Sequence, residues 1–300
     1  MDVVSLFDGI SCGMVALERA GIKVDSYTAY EIDKYAIEIS KKNYPDIIRP
    51  ENGDVFCADW NEYKKTRTPN TDLLLIGGSP CTHWSIANAN REVTCSGIGY
   101  DLFMQYARAL HELKPKYFLY ENNYRIHKDI VDAISKELGV KPIMIDSALV
   151  SAQSRKRYYW TNIPNVTQPT DKGILLKDVI ESGTVDRDKS LCVIRRYAGF
   201  SGSQSMLCRR YFGKSFGQAI FEGDISSIKQ MWKENPHFIS LDHNIRQMSV
   251  LECERLQTLP DGYTKDGGKI SNTLRYKMIG NGWTVDVISH ILSQIKESRS

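Results

Sequence analysis

The chain has 300 residues, of which 42% are hydrophobic and 25% are charged, and its formal net charge at pH 7 is +3. This composition is ordinary for a globular fold, gives no sign of disorder, and allows one large domain or a large domain that carries a smaller one. The small positive excess does not identify a nucleic-acid partner by itself. The N-terminus lacks a signal-peptide pattern and no apolar run is long enough to cross a membrane, so we expect a soluble, cytoplasmic protein.

The cysteines give no sign of a disulfide framework or of a zinc site. There are seven of them, an odd number, and no two form a CxxC pair. They stand at positions 12, 57, 81, 95, 192, 208 and 253. We therefore expect no metal, and each cysteine has to be judged singly.

The first half of the chain alternates short apolar runs with amphipathic stretches, the pattern of βα units on a mostly parallel sheet. The apolar runs are VVSLF, SYTAYEI, DLLLIGG and KYFLYEN, and the stretches that follow them are SCGMVALERAG, DKYAIEISKKN, YDLFMQYARALHEL and IHKDIVDAISKELG. PIMIDSALV and RKRYYWTNI then predict a closing hairpin at one edge of the sheet. Up to about residue 163 we predict one doubly wound, Rossmann-like α/β domain.

From residue 164 to residue 240 the periodicity fades and Gly, Ser, basic and aromatic residues become frequent, which indicates a separate, smaller module. Between Arg187 and Lys214 there are seven Lys or Arg and one acidic residue, a local excess of six positive charges. MSVLECERLQTLP and WTVDVISHILSQIKE are again helical in pattern, and we expect both to pack on the first domain. The predicted division is 1–163 plus 241–300 for the first domain and 164–240 for the second.

SLFDGISCG places glycines between a buried strand and a helix, where a ligand can approach backbone amides at a helix N-terminus. Glu31 follows Gly9 by 22 residues, at the end of the next apolar run, where a carboxylate can accept ribose hydroxyls. GDV follows at the expected end of a third strand, where Asp54 could take an adenine amino proton. Phe7 suits a sulfonium through cation–π attraction, although it could equally be a core residue. An NAD enzyme stays open at this point, but the turn lacks GxGxxG.

The chemistry is expected at the carboxyl edge of the sheet. GGSPC follows DLLLIGG and brings Cys81 to this edge as a candidate soft nucleophile. Glu121 ends the neighbouring run and is placed to share a pocket with Cys81, although it could be a solvated helix-cap residue. Arg155 and Arg157 are two apart on an extended segment, so we expect both to point to one face.

Together these residues resemble the cytosine carbon-5 DNA methyltransferases, from the first strand to the last helix and in the family's usual order. The motifs that carry the resemblance are SLFDGISCG, AYEID, GDV, GGSPC, ENN, QSRKR, RQMSVLECERLQTLPDGY and IGNGWTVDV. Within the family, the LFDGI turn and the GW pair look most like the catalytic domain of the vertebrate de novo enzymes and its prokaryotic or phage relatives. The resemblance implies S-adenosylmethionine as methyl donor, S-adenosylhomocysteine as product, and double-stranded DNA as partner.

Carried over by motif, the resemblance implies Cys81 as the nucleophile that adds to carbon 6 of cytosine, Glu121 as its acidic partner, and Arg155 and Arg157 as supporting groups. The implied cofactor residues are Phe7, Gly9, Ile10, Glu31, Ile32, Asp54, Val55, Pro80, Asn281 and Trp283. The implied DNA-binding residues are Ser85, Arg195, Arg196, Arg209, Arg210 and Lys214, most of them in the target-recognition module at 164–240. Because carbon 6 is hidden in a duplex, the base must be flipped out, and the loop from Cys81 to Gly99 is the candidate lid.

The sequence departs from the family pattern in two places, and neither departure removes a catalytic group. Asn123 replaces a small apolar residue after Glu-Asn, and Thr82, His83 and Trp84 replace a Gln-containing loop. One branch of the family methylates transfer RNA, but its Cys-Phe-Thr signature is absent here. A catalytically silent DNA-binding homologue is the alternative from another class. The recognition sequence, the oligomeric state and any partner endonuclease are not encoded in these motifs.

Overall fold

The computed structural model describes residues 1–85, 90–193, 204–214, 217–234 and 245–297, with the side chains of 204, 205 and 297 left aside. These residues fold as two compact units. The first unit holds the chain up to Asp146, then Lys156–Gln168, and the chain from Val287 onward. The second holds the described residues of Ser147–Arg155 and Pro169–Asp286.

A six-stranded sheet forms the centre of the first unit. Its strands are β1 (Asp2–Leu6), β2 (Ser26–Tyr30), β3 (Leu73–Gly77), β4 (Tyr117–Asn123), β5 (Ile143–Asp146) and β6 (Lys156–Thr161). The strand order is β2-β1-β3-β4-β6-β5, and the first four strands run parallel while β6 is antiparallel to both β4 and β5. The predicted doubly wound sheet with an antiparallel hairpin at one edge is confirmed.

Helices connect these strands. They are α1 (Cys12–Arg19), α2 (Lys34–Asn43), α3 (Trp60–Thr66), α4 (Ile98–Leu113) and α5 (Lys128–Leu138). β1 and β3 are buried along their whole length, as expected for inner strands of a parallel sheet that is covered on both faces. Aromatic residues dominate one core layer, in which Tyr120 contacts Phe103, Tyr106 and Trp160 with ring centroids 4.8–5.7 Å apart.

The third strand expected before GDV does not form. Ile48 makes only an isolated parallel bridge to Thr28 of β2, and the chain then enters a single 3-10 turn at Val55–Cys57. The segment between them contains Pro50 and Gly53, and proline cannot donate to a strand ladder. The GDV motif therefore lies on a loop beside β2 and not at a strand end.

The second unit has its own elements and core. They are α6 (Gln204–Phe212), β7 (Ala219–Phe221), α7 (Ile225–Glu234), β8 (Ile245–Gln247), α8 (Val250–Leu256) and α9 (Asn272–Asn281), with β7 and β8 paired antiparallel. Phe221, Leu207 and Leu256 are among its core residues. The last helix, α10 (Val285–Glu297), starts in this unit and continues into the first.

Both late segments are helical, as predicted from their pattern. By compactness, however, α8 and α9 group with the second unit, whereas the sequence-based division placed everything after residue 240 with the first domain. Cys253 and Leu256 of α8 are fully buried in the second unit's core. The functional division, with target recognition assigned to 164–240, stays a prediction. None of the helices in the described part of the chain combines the length and apolarity needed to cross a membrane.

Candidate active site

A strained turn follows β1 at the carboxyl edge of the sheet. Phe7, Gly9 and Ser11 all have positive φ angles, of 59°, 59° and 61°, which for Phe7 and Ser11 is an uncommon backbone state. Ile10 is buried, whereas Phe7 is half-buried and packs partly against the core. Because non-glycine residues enter this region only when their surroundings enforce it, the turn is a specified feature and not a generic loop.

Glu31 closes this turn from the end of β2. Its Oε2 accepts the Gly9 N–H at 2.8 Å, and its Oε1 accepts the N–H groups of Ile32 and Asp33 at 2.8 and 2.7 Å. Burial raises the pKa of Glu31, although these three N–H bonds oppose the rise. A carboxylate has about four acceptor positions, so Glu31 retains capacity for a ligand hydroxyl. Ile32, predicted beside it, is 74% exposed.

The GDV loop lies directly against Glu31. A Cβ at Gly53 would stand 2.1 Å from the Glu31 backbone oxygen, so only glycine fits this approach. Asp54 caps the following 3-10 turn by accepting the Phe56 N–H at 3.0 Å, and Val55 is buried. The Asp54 carboxylate thus already caps this turn, and the predicted contact with adenine would use the same carboxylate.

A cleft of about 180 Å³ opens beside Gly9 and Glu31. Asp8, Lys41, Arg49 and Gly53 are among its lining residues. Asp8 and Arg49 were not singled out from the sequence. Asp8 lies inside the LFDGI motif, where a carboxylate in a glycine turn is a signal that could have been used. Arg49 follows α2 in a stretch that shows no pattern.

The Pro-Cys loop follows β3. Pro80 is exposed and precedes a 3-10 turn at Cys81–His83, in which Cys81 is half-buried and Trp84 fully buried just beyond. The buried Ser79 anchors the start of this loop. Its Oγ lies 2.7 Å from the Tyr120 hydroxyl, and the side-chain amide of Asn122 donates to its backbone oxygen at 3.2 Å.

Glu121 stands between these two anchoring residues of β4. Since β3 and β4 are parallel with Gly77 paired to Tyr120, the loop that carries Cys81 and the end of β4 that carries Glu121 lie at the same edge of the sheet. Arg157 of β6 forms an ion pair with Glu121, with Nε and Oε1 separated by 3.1 Å and both side chains 12% exposed. Arg157 pairs with Asn123 across the strands, so it reaches Glu121 diagonally.

Arg155 has a different set of partners within the second unit. Its guanidinium donates to the backbone oxygens of Gly280 and Gly282, at 3.1 and 3.0 Å, and lies 3.0 Å from the Cys192 sulfur. These bonds hold the closing GNGW motif. Arg155 is 5% exposed, so its guanidinium serves this buried network, whereas that of Arg157 serves Glu121. The partners of the two arginines differ, since Arg155 precedes β6 and Arg157 lies within it. The expectation that both point to one face stays a prediction.

Part of the candidate lid is described, on either side of residues 86–89. The Glu92 carboxylate contacts His83 Nδ1 at 3.3 Å and accepts the Gly99 N–H at 3.0 Å, which joins the two ends of the loop. Gly97 has a φ of 100° and, like Gly99, has no room for a Cβ beside the Glu92 carboxylate. The two glycines thus allow a close approach here, and their role as hinges stays a prediction. Ser85 is half-buried on the same loop.

The remaining predicted residues lie in the second unit. Asn281 is exposed at the end of α9 and Trp283 is half-buried just after it. Arg209 and Arg210 are exposed on α6 and Lys214 is exposed after it, whereas Arg195 and Arg196 lie outside the described residues. Some basic side chains between Arg187 and Lys214 make contacts inside the second unit. Lys189 donates to the backbone oxygens of Ala148, Ser151 and Ile174, and Arg187 contacts Asp186 and Tyr211.

No metal site is formed among the residues that the structure describes, since no three His, Cys, Asp or Glu side chains in those ranges are grouped to hold an ion. A glycine turn after the first strand, a carboxylate after the second and a Pro-Cys loop after the third define a Rossmann-like methyltransferase fold. The family model for C-5 cytosine-specific DNA methylases matches residues 1–172 and 195–297. The chain belongs to this family, and the activity of the family is cytosine-5 methylation of DNA.

Comparisons with individual proteins agree. The chain is 27% identical to the Type II methyltransferase M.FnuDI of Fusobacterium nucleatum over 344 aligned residues, which cover 99% of this chain and 95% of that protein. It is 36% identical to the orphan methyltransferase M.Rho11sI of Bacillus phage rho11s over 125 residues, 40% of this chain and 22% of that protein. Its fold is similar to that of a Spodoptera frugiperda DNMT2 mutant, with a TM-score of 0.73, 16% identity, and coverage of 98% and 99%.

Proposed function

We propose that the chain methylates carbon 5 of a flipped-out cytosine in double-stranded DNA, with Cys81 as the covalent nucleophile and S-adenosylmethionine as methyl donor. The observation that carries this proposal is the juxtaposition at the sheet edge. Ser79, two residues before Cys81, is hydrogen-bonded to Asn122, the residue that follows Glu121. A nucleophile and an acid are thereby held by one rigid strand pair.

The cleft beside Gly9 suits the methyl donor. Glu31 faces it with acceptor capacity for a ribose hydroxyl, and the space beside the Gly9 Cα is open. When bound, S-adenosylmethionine supplies an electrophilic methyl group. Of the predicted cofactor residues, Gly9 and Glu31 line this cleft. The cofactor contacts of Phe7, Ile10, Ile32, Asp54, Val55, Pro80, Asn281 and Trp283 stay predictions from the family resemblance.

The protein's own groups would act on the ring in a defined order. Addition of the Cys81 thiolate to carbon 6 breaks the 5,6 double bond and shifts electron density to carbon 5, which receives the methyl group. Glu121 hydrogen-bonds ring nitrogen 3 and stabilises the ring as it gains charge. Transfer of the carbon 5 proton to solvent water leaves its bonding electrons to restore the 5,6 double bond, and the Cys81 thiolate is expelled. Arg157 orients the Glu121 carboxylate through the 3.1 Å ion pair.

The decisive experiment separates this proposal from its alternatives. The wild-type chain, Cys81→Ser and the control Cys57→Ser, which removes an exposed thiol, are incubated with labelled S-adenosylmethionine and either duplex DNA or transfer RNA. We expect label on cytosine in DNA for the wild type and the control, and none for Cys81→Ser. Label on RNA alone would support the RNA branch. An intact chain that fails to form a covalent adduct with a duplex containing 5-fluorocytosine would support the silent homologue.

Contact with DNA phosphates is proposed for Arg209, Arg210 and Lys214, together with Ser85 near the base. Each cation that neutralises a phosphate contributes about 0.9 to the slope of log affinity against log salt. Arg209→Ala with Lys214→Ala should therefore lower that slope by roughly 2. Lys64→Ala, which removes an exposed cation of α3, should leave it unchanged. An unchanged slope in the double variant would remove these residues from the interface.

A further inference from the structure

Behind the glycine turn lies a chain of hydrogen bonds that connects a cation to a carboxylate. Arg49 Nη2 donates to Ser40 Oγ at 2.6 Å, Ser40 Oγ and Ser11 Oγ are 2.5 Å apart, and Ser11 Oγ donates to Asp8 Oδ2 at 2.5 Å. Ser11 is fully buried and Ser40 is 2% exposed. Arg49 and Asp8 both line the cleft beside Glu31.

The direction of this relay follows from counting protons. A serine hydroxyl has one proton, and that of Ser11 is donated to Asp8, so Ser40 must donate to Ser11. Ser40 in turn accepts from Arg49. Each hydroxyl thus donates once and accepts once, and the relay runs from the guanidinium to the carboxylate without a conflict. This pattern suits an ionised Asp8, whose two carboxylate oxygens act as acceptors.

Asp8 is the residue on which the turn depends. Its backbone N–H donates to the Tyr30 oxygen at 3.1 Å, its backbone oxygen accepts from Ser11 N–H at 3.1 Å, and the next N–H is that of Gly9, which binds Glu31. The second carboxylate oxygen of Asp8 accepts from the Tyr27 hydroxyl at 2.6 Å. The side chain therefore ties β2, the turn and α2 together.

We propose that Arg49 is a positioning residue for the cofactor site, which acts through Ser40 and Ser11 on Asp8 and so fixes the turn that presents the Gly9 N–H to Glu31. This inference rests on the proposed use of the cleft by S-adenosylmethionine. Arg49 also donates to the backbone oxygens of Ile47 and Tyr44, at 2.7 and 3.0 Å, so a purely structural role for it has to be distinguished.

The charge of Arg49 affects the pKa of Asp8. The pH dependence of the turn therefore distinguishes this proposal from a purely structural role of Arg49. Burial raises the pKa of Asp8, while hydrogen bonds from Ser11, Ser5 and Tyr27 and the charge of Arg49 oppose the rise. The charged and titratable groups that face Asp8 or line its cleft are Tyr27, Glu31, Lys41, Arg49 and Glu51. Removal of the Arg49 charge raises the pKa of Asp8 further, so protonation of Asp8 should disrupt the turn at a higher pH than in the wild type.

The experiment compares wild type with Ser40→Ala, Arg49→Lys and Arg49→Met. Ser40→Ala breaks the relay but keeps the Arg49 bonds to Ile47 and Tyr44. Affinity for S-adenosylhomocysteine is measured by calorimetry from pH 5.5 to pH 8.5, and the Gly9 amide resonance is followed over the same range without ligand. We expect roughly 10-fold weaker binding at neutral pH for Ser40→Ala, which loses one hydrogen bond in a relay to a charged group, and at least as large a loss for Arg49→Met, which also loses its bonds to Ile47 and Tyr44.

The pH dependence supplies the second criterion. In the wild type, affinity should fall as the pH drops through the pKa of Asp8, and in Arg49→Met this fall should begin at a higher pH, with Arg49→Lys nearer to wild type. Wild-type affinity and an unshifted Gly9 profile in both Ser40→Ala and Arg49→Met would overturn the proposal. If the wild type itself bound no S-adenosylhomocysteine, the proposed function would fail, whereas the Gly9 resonance would still decide for or against the relay.

Discussion

The hydroxyl of Tyr120 lies 2.7 Å from Ser79 Oγ, and both side chains are buried. The amide of Asn122 lies 3.2 Å from the same hydroxyl and 3.3 Å from Ser79 Oγ, which completes a triangle of polar groups. Burial raises the pKa of Tyr120 well above its usual value, so the phenol stays neutral and can donate at any physiological pH. The loop that carries Cys81 is therefore fixed from β4, the strand that carries Glu121.

Tyr120→Phe tests this connection. The substitution removes the hydroxyl and leaves the polar groups of Ser79 and Asn122 with one partner fewer in a buried place. We expect a loss of about 1–2 kcal/mol in the free energy of unfolding, measured in urea, and a lower kcat with little change in KM for the methyl donor. The turnover should fall because Cys81 loses part of its support while the cleft at Gly9 is untouched.

Tyr44→Phe is the matched control for that variant. Tyr44 also donates its hydroxyl, to Glu18 at 2.7 Å, but this pair lies at the surface. We expect a stability change within about 0.5 kcal/mol, as for most surface substitutions, and an unchanged kcat. Equal effects of the two substitutions on kcat would show that the Tyr120 hydroxyl has no special relation to the Pro-Cys loop.

The Glu121–Arg157 pair predicts a strongly non-additive double variant. Each of Glu121→Gln and Arg157→Gln should lower kcat by about 100-fold, since proton-transfer and hydrogen-bonding groups contribute at least this much. Because Arg157 acts by orienting Glu121, the double variant should lose little more than Glu121→Gln alone. Steady-state kinetics of the four proteins on one duplex decide the matter. Losses that multiply in full would mean that Arg157 acts on the substrate independently of Glu121.

Local patterning was sufficient to predict the parallel sheet, its closing hairpin and the placement of Cys81, Glu121 and Glu31 at or near the carboxyl ends of the strands. Apolar runs bounded by glycine indicate buried strands, and the carboxyl ends of parallel strands lie at the same edge of the sheet. The prediction of a third strand before GDV was wrong. A strand needs a neighbour along its length, and Ile48 forms only an isolated bridge to Thr28.

Contacts between distant segments could not be predicted in this way. Arg155 and Arg157 share a motif, yet their side chains differ in partners because one precedes β6 and the other belongs to it. Arg49, Ser40 and Ser11 come from three separate stretches, and nothing in the spacing of single serines signals a relay. The positive charges of Arg187 and Lys189 likewise indicated a nucleic-acid surface. In the structure, Lys189 binds a backbone carbonyl and Arg187 binds a carboxylate inside the second unit.

The cysteines should differ sharply in reactivity towards an alkylating reagent. Burial raises the pKa of Cys208 to about 11 and that of Cys253 higher still, so neither thiol forms the reactive thiolate at neutral pH. In the native protein, Cys208 and Cys253 should stay unmodified at pH 7.5 while the exposed Cys57 reacts, and all should react in urea. Mass spectrometry of peptides measures this. Native modification of Cys253 would imply that α8 opens readily.

Glu254 of α8 carries the largest stability effect that we expect in the second unit. Its carboxylate is fully buried, accepts the N–H groups of Gly262 and Thr264 at 2.8 Å each, and pairs with Arg275 at 3.3 Å. Glu254→Ala leaves a guanidinium and two backbone donors without this partner in a buried place, which costs about 3–5 kcal/mol.

Urea unfolding of Glu254→Ala, compared with Glu254→Gln and with the exposed Glu234→Ala on α7, measures this cost. The glutamine retains one acceptor oxygen but not the charge, so it should lose less than the alanine variant, whereas Glu234→Ala should stay within about 0.5 kcal/mol of wild type. A loss below about 1 kcal/mol for Glu254→Ala would show that desolvation of the carboxylate already cancels its bonds. In that case the loop at 258–264 would owe its shape to Leu259 and Tyr263, which are both buried, and not to the charge.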